Sequence, residues 1–388
     1  MITRDTIAKI LDTARIEDVV GDFVNLKKNG SILKGLCPFH NERTPSFVVN
    51  PNKNICKCFG CGAGGDSVSF VMELEKMTFP EALRYLAQKY HIEVEEVYTS
   101  NEDVQEKNDK ESLLIALNYA AKFYQTQLTE TEDGKAIGLS YFKERGFLED
   151  TISTFQLGYA PDSFDAFYHQ AIKDGFNPEV LLKAGLIKEK NGKHYDFFRD
   201  RVMFPISNVS GKVVAFGGRM LKSSKPENPN VYNPKYINTA ETDVYHKSQI
   251  LYGISQAKSD IRKLDVCYLV EGYTDVISLY QAGIKNVVAS SGTALTKEQV
   301  QLVKRFTENI VILYDGDAAG IKAALRGLDI VLEQGMNVKL VLLPDGDDPD
   351  SFVKRNGTDA TLEFIKNSQQ DFILFKAAQG IEISKNDP

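Results

Sequence analysis

The feature that most constrains the fold of this chain is a set of four metal-binding side chains between residues 37 and 61. Cys37-Pro-Phe-His40 and Cys58-Phe-Gly-Cys61 form a CxxH and a CxxC pair, separated by seventeen residues. A two-residue gap lets a tight turn direct both side chains at one ion, and the longer gap lets the chain return to complete a tetrahedron. Because four protein ligands leave no open coordination position, the pattern predicts one structural Zn²⁺ in a zinc ribbon.

The other two cysteines are interpreted as non-ligands. Cys56 offers an alternative CxC pairing, but in an extended segment it is offset from the pair at 58 and 61. Cys267 lies in a predicted strand and is expected to be a buried thiol. Five cysteines in 388 residues do not make a disulfide scaffold, and their clustering favours metal in a reducing compartment. With no signal peptide and no apolar run longer than a strand, a cytoplasmic location is expected.

The charge of the chain is segregated, although its net value is −7. Between Asn25 and Cys61 six basic residues stand against Glu42 alone, and between Arg199 and Lys247 eight stand against four acidic ones. A net negative charge argues mildly against nucleic-acid binding, but two locally basic surfaces favour it. Phenylalanines 39, 47 and 59 could stack on bases beside the first surface, or could simply pack the ribbon.

The pattern of the first half predicts two domains joined by a polar segment. Residues 1–98 are predicted to be a zinc-binding domain, with a helix on either side of the cysteines and the second helix over 67–90. Residues 99–111 carry alternating charges and are interpreted as a flexible linker, with a solvated helix as the alternative. Residues 112–256 are predicted to be a mixed α/β subdomain with a hairpin turning at Gly211.

From Val266 onward, short and continuous apolar runs alternate with helical segments. The runs VCYLV, VVAS, IVILY and VKLVLL are typical of strands buried on both faces of a parallel sheet. A helix that begins near Ala318 should end at Gly335, which suits a left-handed C-cap. The predicted fold class is therefore multidomain α/β, with a small doubly wound domain at residues 257–356.

Acidic residues follow three of these predicted strands. Glu271 and Asp275 come after the first, Asp315 and Asp317 after the third, and the segment LLPDGDDPD carries further aspartates after the fourth. Strand ends in a parallel sheet share one edge, so the clusters should converge there. Crowded carboxylates require cations, and oxygen ligands without Cys or His point to Mg²⁺ or Mn²⁺ and to phosphoryl or nucleotidyl transfer.

Taken together, these motifs resemble those of the bacterial replicative primases of the DnaG type, from residue 1 to about 366. CPFHNERTPSF and CFGCGAGGD are similar to the zinc-binding domain of that family. YFKERG, FRDRVMFPI, GGR and YINTAETDVYHKS are similar to the N-terminal part of its RNA polymerase domain. VEGYTD, YDGDAAG and LPDGDDPD are similar to its Toprim metal-binding fold.

The resemblance implies specific roles for individual residues. It implies that Glu271, Asp315 and Asp317 are catalytic, and that two or more Mg²⁺ or Mn²⁺ ions are held by Glu271, Asp275, Asp315, Asp317, Asp348 and Asp350. It also implies a basic track for template and nucleotide, formed by Arg145, Arg199, Arg201, Arg219, Lys235 and Lys247.

The function implied is synthesis of short RNA primers on single-stranded DNA from ribonucleoside triphosphates, in chromosomal replication, by a monomer. Residues 357–388 would begin a helical subdomain, and the domain that contacts a DnaB-type helicase would be absent. The alternatives are a non-catalytic recombination mediator, which also combines a zinc module with a Toprim-like fold, and a Toprim nuclease or topoisomerase. No phosphate loop of the GxxxxGK[ST] type occurs, so no helicase motor is expected.

Overall fold

The computed structural model describes residues 2–95, 101–221, 234–292, 294–314, 318–344 and 346–371. The chain divides into two compact units, Met1–Gln105 and Glu106–Pro388. None of the described helices combines the length and apolar character needed to cross a bilayer.

The described part of the first unit up to residue 95 holds a five-stranded antiparallel sheet and four α-helices. Its elements are α1 (Arg4–Thr13), α2 (Ile16–Gly21), β1 (Lys27–Asn29), β2 (Ile32–Gly35), β3 (Phe47–Asn50), β4 (Ile55–Cys58), β5 (Gly64–Gly65), α3 (Ser67–Glu75) and α4 (Phe79–Lys89), with the strands in the order β1-β2-β3-β4-β5. One face of the sheet packs on α3, and its buried side chains include Phe47, Val49, Cys56 and Cys58. This unit therefore has an apolar core of its own beneath the sheet.

The structure corrects the prediction of one helix over residues 67–90, because the chain turns between α3 and α4. Lys76 adopts a left-handed conformation with φ +49°, which ends α3. Thr78 then begins α4, with its backbone N–H donating to the Glu81 carboxylate at 2.7 Å. Pro80 follows in the first turn of α4. These start signals outweigh the helical spacing of apolar residues that runs through the whole segment.

The structure also corrects the prediction of a flexible linker at residues 99–111. Helix α5 covers Asn101–Glu130, so residues 101–111 are helical, and residues 105–108 are exposed, which agrees with the alternative of a solvated helix. Residues 99 and 100 lie outside the described residues. Glu and Lys, which favour helices, make up five of the residues 101–111, and Glu106 and Lys110 form an ion pair of 2.6 Å one turn apart.

The second unit begins with an antiparallel sheet. Its elements are α6 (Ser140–Glu144), α7 (Glu149–Thr154), β6 (Gly158–Ala160), α8 (Ala166–Lys173), α9 (Pro178–Lys183), β7 (Ile187–Lys190), β8 (Lys193–Asp196), β9 (Arg201–Ser207), β10 (Val213–Met220) and β11 (Tyr236–Asn238). The sheet order is β11-β10-β9-β6, and β7 and β8 form a separate hairpin. Strands β9 and β10 form the predicted hairpin, with Gly211 in the turn at φ +84°.

A mostly parallel sheet follows. Its elements are α10 (Ile254–Leu264), β12 (Cys267–Val270), α11 (Tyr273–Gln281), β13 (Val287–Ala289), α12 (Lys297–Lys304), β14 (Asn309–Tyr314), α13 (Ala318–Glu333), β15 (Asn337–Leu342), α14 (Pro349–Asn356), α15 (Thr358–Asn367) and β16 (Gln370–Asp371). The order is β13-β12-β14-β15-β16, in which only the edge strand β16 is antiparallel. The predicted parallel α/β fold is confirmed, and α13 ends two residues before Gly335, whose φ is +67°.

The two sheets of the second unit share one apolar core. The rings of Phe204 on β9 and Tyr273 on α11 stack at 5.1 Å with an interplanar angle of 10°. Gly217 on β10 makes this approach possible, because a Cβ atom there would lie 2.6 Å from the Tyr273 ring. The sequence pattern changes near the predicted boundary at residue 256, but the apolar core continues across that boundary.

Candidate metal centre and catalytic cleft

The four predicted zinc ligands converge at one end of the first sheet. The ligand atoms of Cys37, His40, Cys58 and Cys61 all lie within 4.8 Å of one another. Two of the separations, Cys37 Sγ to Cys61 Sγ and His40 Nδ1 to Cys58 Sγ, are both 3.8 Å. A tetrahedron with zinc–sulfur bonds of about 2.3 Å has edges of about 3.8 Å. The donor set and its spacing therefore fit a structural zinc ion.

Glu42 holds the metal-binding residues in place through hydrogen bonds, a role that the sequence alone did not suggest. Its carboxylate accepts the backbone N–H groups of Cys37 at 2.8 Å and Ser46 at 2.9 Å. It also lies 3.4 Å from Nε2 of His40, which leaves Nδ1 facing the sulfur atoms. Metal-ligating histidines commonly donate their second ring nitrogen to a carboxylate in this way. The sequence feature that could have pointed to this role is that Glu42 is the only acidic residue in a basic segment.

Replacing Glu42 by glutamine is expected to weaken zinc binding by about 10- to 100-fold, because the imidazole and the Cys37 turn lose their anionic anchor. Competition for Zn²⁺ with a chromophoric chelator measures the effect. Glu73→Gln is a matched control, since Glu73 forms an exposed ion pair with Lys76 elsewhere in the same unit. Equal zinc affinity of the Glu42 variant and the wild type would contradict the assignment.

The thiol groups of this unit differ in their surroundings. Burial alone would raise the pKa of Cys58, but hydrogen bonds from the Ser46 hydroxyl and from the backbone N–H groups of Cys61 and Gly60 outweigh it and lower the pKa to about 6. Cys56 points into the apolar core, where burial raises its pKa to about 11. The Cys56 sulfur is not among the four ligand atoms that converge, so Cys56 is still interpreted as a small apolar side chain.

The solvent-facing side of the first sheet carries a row of lysines. In the strand register Lys27 lies opposite Lys34, Lys34 opposite Val48, and Val48 opposite Lys57. Directly opposed residues share one face of a sheet, and like charges placed so repel one another. This lysine row, consisting of Lys27, Lys34 and Lys57, is suited to a polyanion.

Of the three phenylalanines considered as stacking faces, the structure leaves one exposed. Phe39 and Phe47 pack against Phe70 at ring distances of 5.6 and 6.0 Å and belong to the core region. Phe59 is 72% exposed, and Nζ of Lys57 lies 6.0 Å from its ring centroid. Phe59 is therefore the side chain of the three that is placed to receive a base.

A cleft of about 610 Å³ lies at the carboxyl end of the parallel strands. Glu271 follows β12, Asp275 lies in the first turn of α11, and Asp348 is the N-cap of α14. These carboxylates line the cleft together with Arg145, Arg219 and Lys235. Among the described residues, the lining contains oxygen donors and no Cys or His, which fits Mg²⁺ or Mn²⁺ rather than zinc.

The remaining predicted acidic residues are placed differently. Asp315 and Asp317 lie outside the described residues. The preceding residue, Tyr314, lines the cleft, and burial, with a smaller contribution from the Glu271 carboxylate, raises the pKa of its hydroxyl. Strand β14 therefore ends close to Glu271. Asp350 does not line the cleft and is buried among ion-pair partners.

The predicted basic track is brought together only in part. Arg201 is 4% exposed, and its guanidinium donates to the carbonyl oxygens of Gly218, Pro234 and Lys235 at 3.0 to 3.3 Å. This placement differs from the expected surface contact, because the side chain stabilises the backbone that carries Lys235. Arg199 stacks near Phe164 and Tyr195, and neither it nor Lys247 lines the cleft.

The structure adds residues to the cleft that the motifs did not single out. The guanidinium of Arg219 lies 5.2 Å from the ring centroid of Tyr141 and 5.4 Å from that of Tyr236, and it donates to the Tyr236 hydroxyl at 2.9 Å. Arg326 on α13 also lines the cleft. Tyr236 directly follows Lys235 and is the first residue of the motif YINTAETDVYHKS, whereas only the helical spacing after YDGDAAG could have pointed to Arg326.

Three protein families match this chain in consecutive segments. The family described as CHC2 zinc finger matches residues 2–102, that described as DNA primase catalytic core, N-terminal domain, matches residues 123–258, and that described as Toprim-like matches residues 268–353.

Curated relatives and solved structures agree with these matches. DNA primases of Halalkalibacterium halodurans and Clostridium acetobutylicum are 42% and 41% identical over 97% and 100% of this chain. The zinc-binding and RNA polymerase domains of Aquifex aeolicus primase are 36% identical with a TM-score of 0.64, over 98% of this chain and 90% of that one. A DnaG primase catalytic domain bound to ssDNA is 35% identical with a TM-score of 0.61, over 68% and 83%. The chain spans 61% and 63% of the two curated relatives.

Proposed function

This chain belongs to the DnaG family of DNA primases, and from that premise we propose that it synthesises short RNA primers on single-stranded DNA. The observation that carries the proposal is a cleft whose described lining holds three carboxylates (Glu271, Asp275 and Asp348) and four cationic side chains (Arg145, Arg219, Lys235 and Arg326). Carboxylates that hold divalent ions beside cations that bind phosphates are what nucleotidyl transfer from a triphosphate requires.

In the proposed reaction the 3′-hydroxyl of one ribonucleotide attacks the α-phosphate of the next, and pyrophosphate leaves. Glu271, Asp275 and Asp348, with Asp315 and Asp317, would hold Mg²⁺ or Mn²⁺, which when bound stabilises negative charge on the reacting oxygens. Arg145, Arg219 and Lys235 would bind and orient the triphosphate opposite the carboxylates. The ring of Tyr141 and the hydroxyl of Tyr236 contact the Arg219 guanidinium, and these contacts reduce the entropy lost when it binds a phosphate.

Template binding by the first unit is supported by the lysine row and by Phe59. Phosphates would lie along Lys27, Lys34 and Lys57, and a base would stack on Phe59. The related DnaG domain solved with ssDNA supports single-stranded DNA as the template class.

Changing both Lys34 and Lys57 to glutamine is expected to reduce the salt dependence of single-stranded DNA binding by the whole chain. Each lost phosphate contact should lower the slope of log K against log salt concentration by about 0.7, so the pair should lower it by about 1.4. Fluorescence anisotropy with a labelled oligonucleotide from low to moderate salt gives the slope. Lys53→Gln is the control, because Lys53 is exposed in the same unit outside the row. An unchanged slope in the double variant rules out the row as a contact.

Incorporation of labelled ribonucleotides on a single-stranded template tests the proposed function directly. A mediator would bind the template and incorporate nothing, whereas a nuclease or topoisomerase would cut supercoiled plasmid. The relatives named DNA primase do not favour the mediator. A DnaB-type replicative helicase, expected to bind through a domain outside these 388 residues, is part of the same proposal, and primer synthesis by this chain with and without helicase tests whether it acts on the chain.

A further inference from the structure

Asp350 is a carboxylate near the cleft with three side-chain partners. Its Oδ2 atom lies 2.5 Å from Nη1 of Arg145, and its Oδ1 atom lies 2.6 Å from Nζ of Lys354 and accepts the hydroxyl hydrogen of Ser278. Only 6% of the Asp350 side chain is exposed. Both oxygens are therefore turned toward protein partners and away from solvent.

Asp348, two residues earlier, has the opposite environment. It is exposed, it lines the cleft, and its Oδ1 atom accepts the backbone N–H of Ser351 at 2.7 Å as the N-cap of α14. Because helical geometry rotates the chain between the two positions, one carboxylate faces the cleft and the other faces the interior. The two aspartates of this motif are thus not equivalent as metal ligands.

Arg145 reaches Asp350 from a firmly held turn. The side-chain amide of Gln281 donates to the carbonyl of Gly146 and its oxygen accepts the N–H of Leu148, both at 2.8 Å. Phe147 is buried in the shared core, and Nζ of Lys354 lies 5.6 Å from the Phe147 ring centroid. The backbone position of Arg145 is fixed by these contacts, which leaves the direction of its long side chain to be set by Asp350 and Tyr141.

We propose that Asp350 is a positioning residue that holds the Arg145 guanidinium at the wall of the cleft to receive a phosphate group, and that it does not ligate the catalytic metal. A buried carboxylate is stable only when paired, and here two cations and a hydroxyl supply the pairing. Moving Asp350 to a metal would leave Arg145 and Lys354 without their shared anion. The inference rests on the proposed function only in taking the occupant of the cleft to carry phosphates.

The test compares Asp350→Asn with Asp348→Asn in the full 388-residue chain. Mn²⁺ binding is measured by electron paramagnetic resonance, and equilibrium binding of Mg·ATP and of a single-stranded oligonucleotide is measured separately. For Asp350→Asn we expect Mn²⁺ affinity within twofold of wild type, and phosphate-ligand binding weakened about tenfold in the ATP arm, the DNA arm or both. For Asp348→Asn we expect Mn²⁺ binding itself to weaken.

A double-mutant cycle separates positioning from a general loss of structure. In an Arg145→Ala background, Asp350→Asn should change ligand binding by less than twofold, because its effect passes through Arg145. Lys366→Met is the control, since Lys366 is an exposed lysine of α15 in the same unit, outside the lining of the cleft, and its replacement should leave ligand binding unchanged.

Loss of Mn²⁺ affinity in Asp350→Asn comparable to that in Asp348→Asn would overturn the inference, as would full additivity with Arg145→Ala. If the wild-type chain makes no primers, the proposed function fails, but the metal and ligand measurements still decide the role of Asp350.

Discussion

Replacing Glu271 by glutamine is expected to lower primer synthesis by about 10²- to 10³-fold while the chain stays folded and binds single-stranded DNA. The change removes one negative charge at the end of β12, where the proposed metals would gather, and alters no buried packing because Glu271 is exposed in the cleft. Loss of one preorganised electrostatic contact to the reacting group commonly has an effect of this size. The rate of labelled ribonucleotide incorporation on a single-stranded template is the measurement.

Glu298→Gln is the matched control for this experiment. Glu298 is exposed in the first turn of α12, in the same unit but outside the cleft lining, and its replacement should leave the rate unchanged. Thermal unfolding and oligonucleotide binding should be the same in both variants and the wild type. Normal activity in the Glu271 variant would remove this carboxylate from the proposed site.

Replacing Cys58 by serine is expected to lower zinc affinity by about two to three orders of magnitude. Structural zinc binding contributes about 10–16 kcal/mol, so each of four ligands accounts for about 2.5–4 kcal/mol, and about 1.4 kcal/mol is a factor of ten. Cys58 is fully buried at the end of β4, and serine cannot supply the thiolate that Ser46, Gly60 and Cys61 stabilise. Chelator competition gives the affinity, and the visible spectrum of the Co²⁺-substituted chain reports tetrahedral thiolate coordination.

Cys56→Ser distinguishes a ligand from a core thiol. It places a hydroxyl in the apolar core, so it should lower the free energy of unfolding of the first unit. The number of zinc ions bound per chain should stay the same as in the wild type. Zinc loss in this variant, or wild-type affinity in Cys58→Ser, would reverse the ligand assignment. Because the first unit has its own apolar core beneath the sheet, zinc removal should loosen the ligand end of the sheet more than the helices.

Features that depend on local pattern were predictable from this sequence. The continuous apolar runs from Val266 required strands buried on both faces, and Gly211 and Gly335 marked a turn and a helix end because both need positive φ. The zinc ligands followed from spacing alone, since a CxxH and a CxxC pair have few other uses.

Features that depend on distant partners were not predictable in the same way. Asp350 resembles Asp348 in sequence, but its partners Arg145 and Ser278 are 205 and 72 residues away. From the sequence alone Arg201 is expected to be a surface cation, and only the structure shows the carbonyl groups that surround it. The break between α3 and α4 was visible in Thr78 and Pro80, but the apolar spacing across it obscured that signal.

The stack of Phe204 on Tyr273 has a consequence for how the cleft can open. Arg219 and Lys235 belong to the antiparallel part of the second unit, and Glu271 and Asp275 to the parallel part, yet both parts are packed around one core. Closely packed interiors resist sliding, and a ring inserted over Gly217 leaves no gap for a hinge. Nucleotide entry and pyrophosphate exit should therefore depend on side-chain and loop rearrangement at the rim, with the two walls moving as one body.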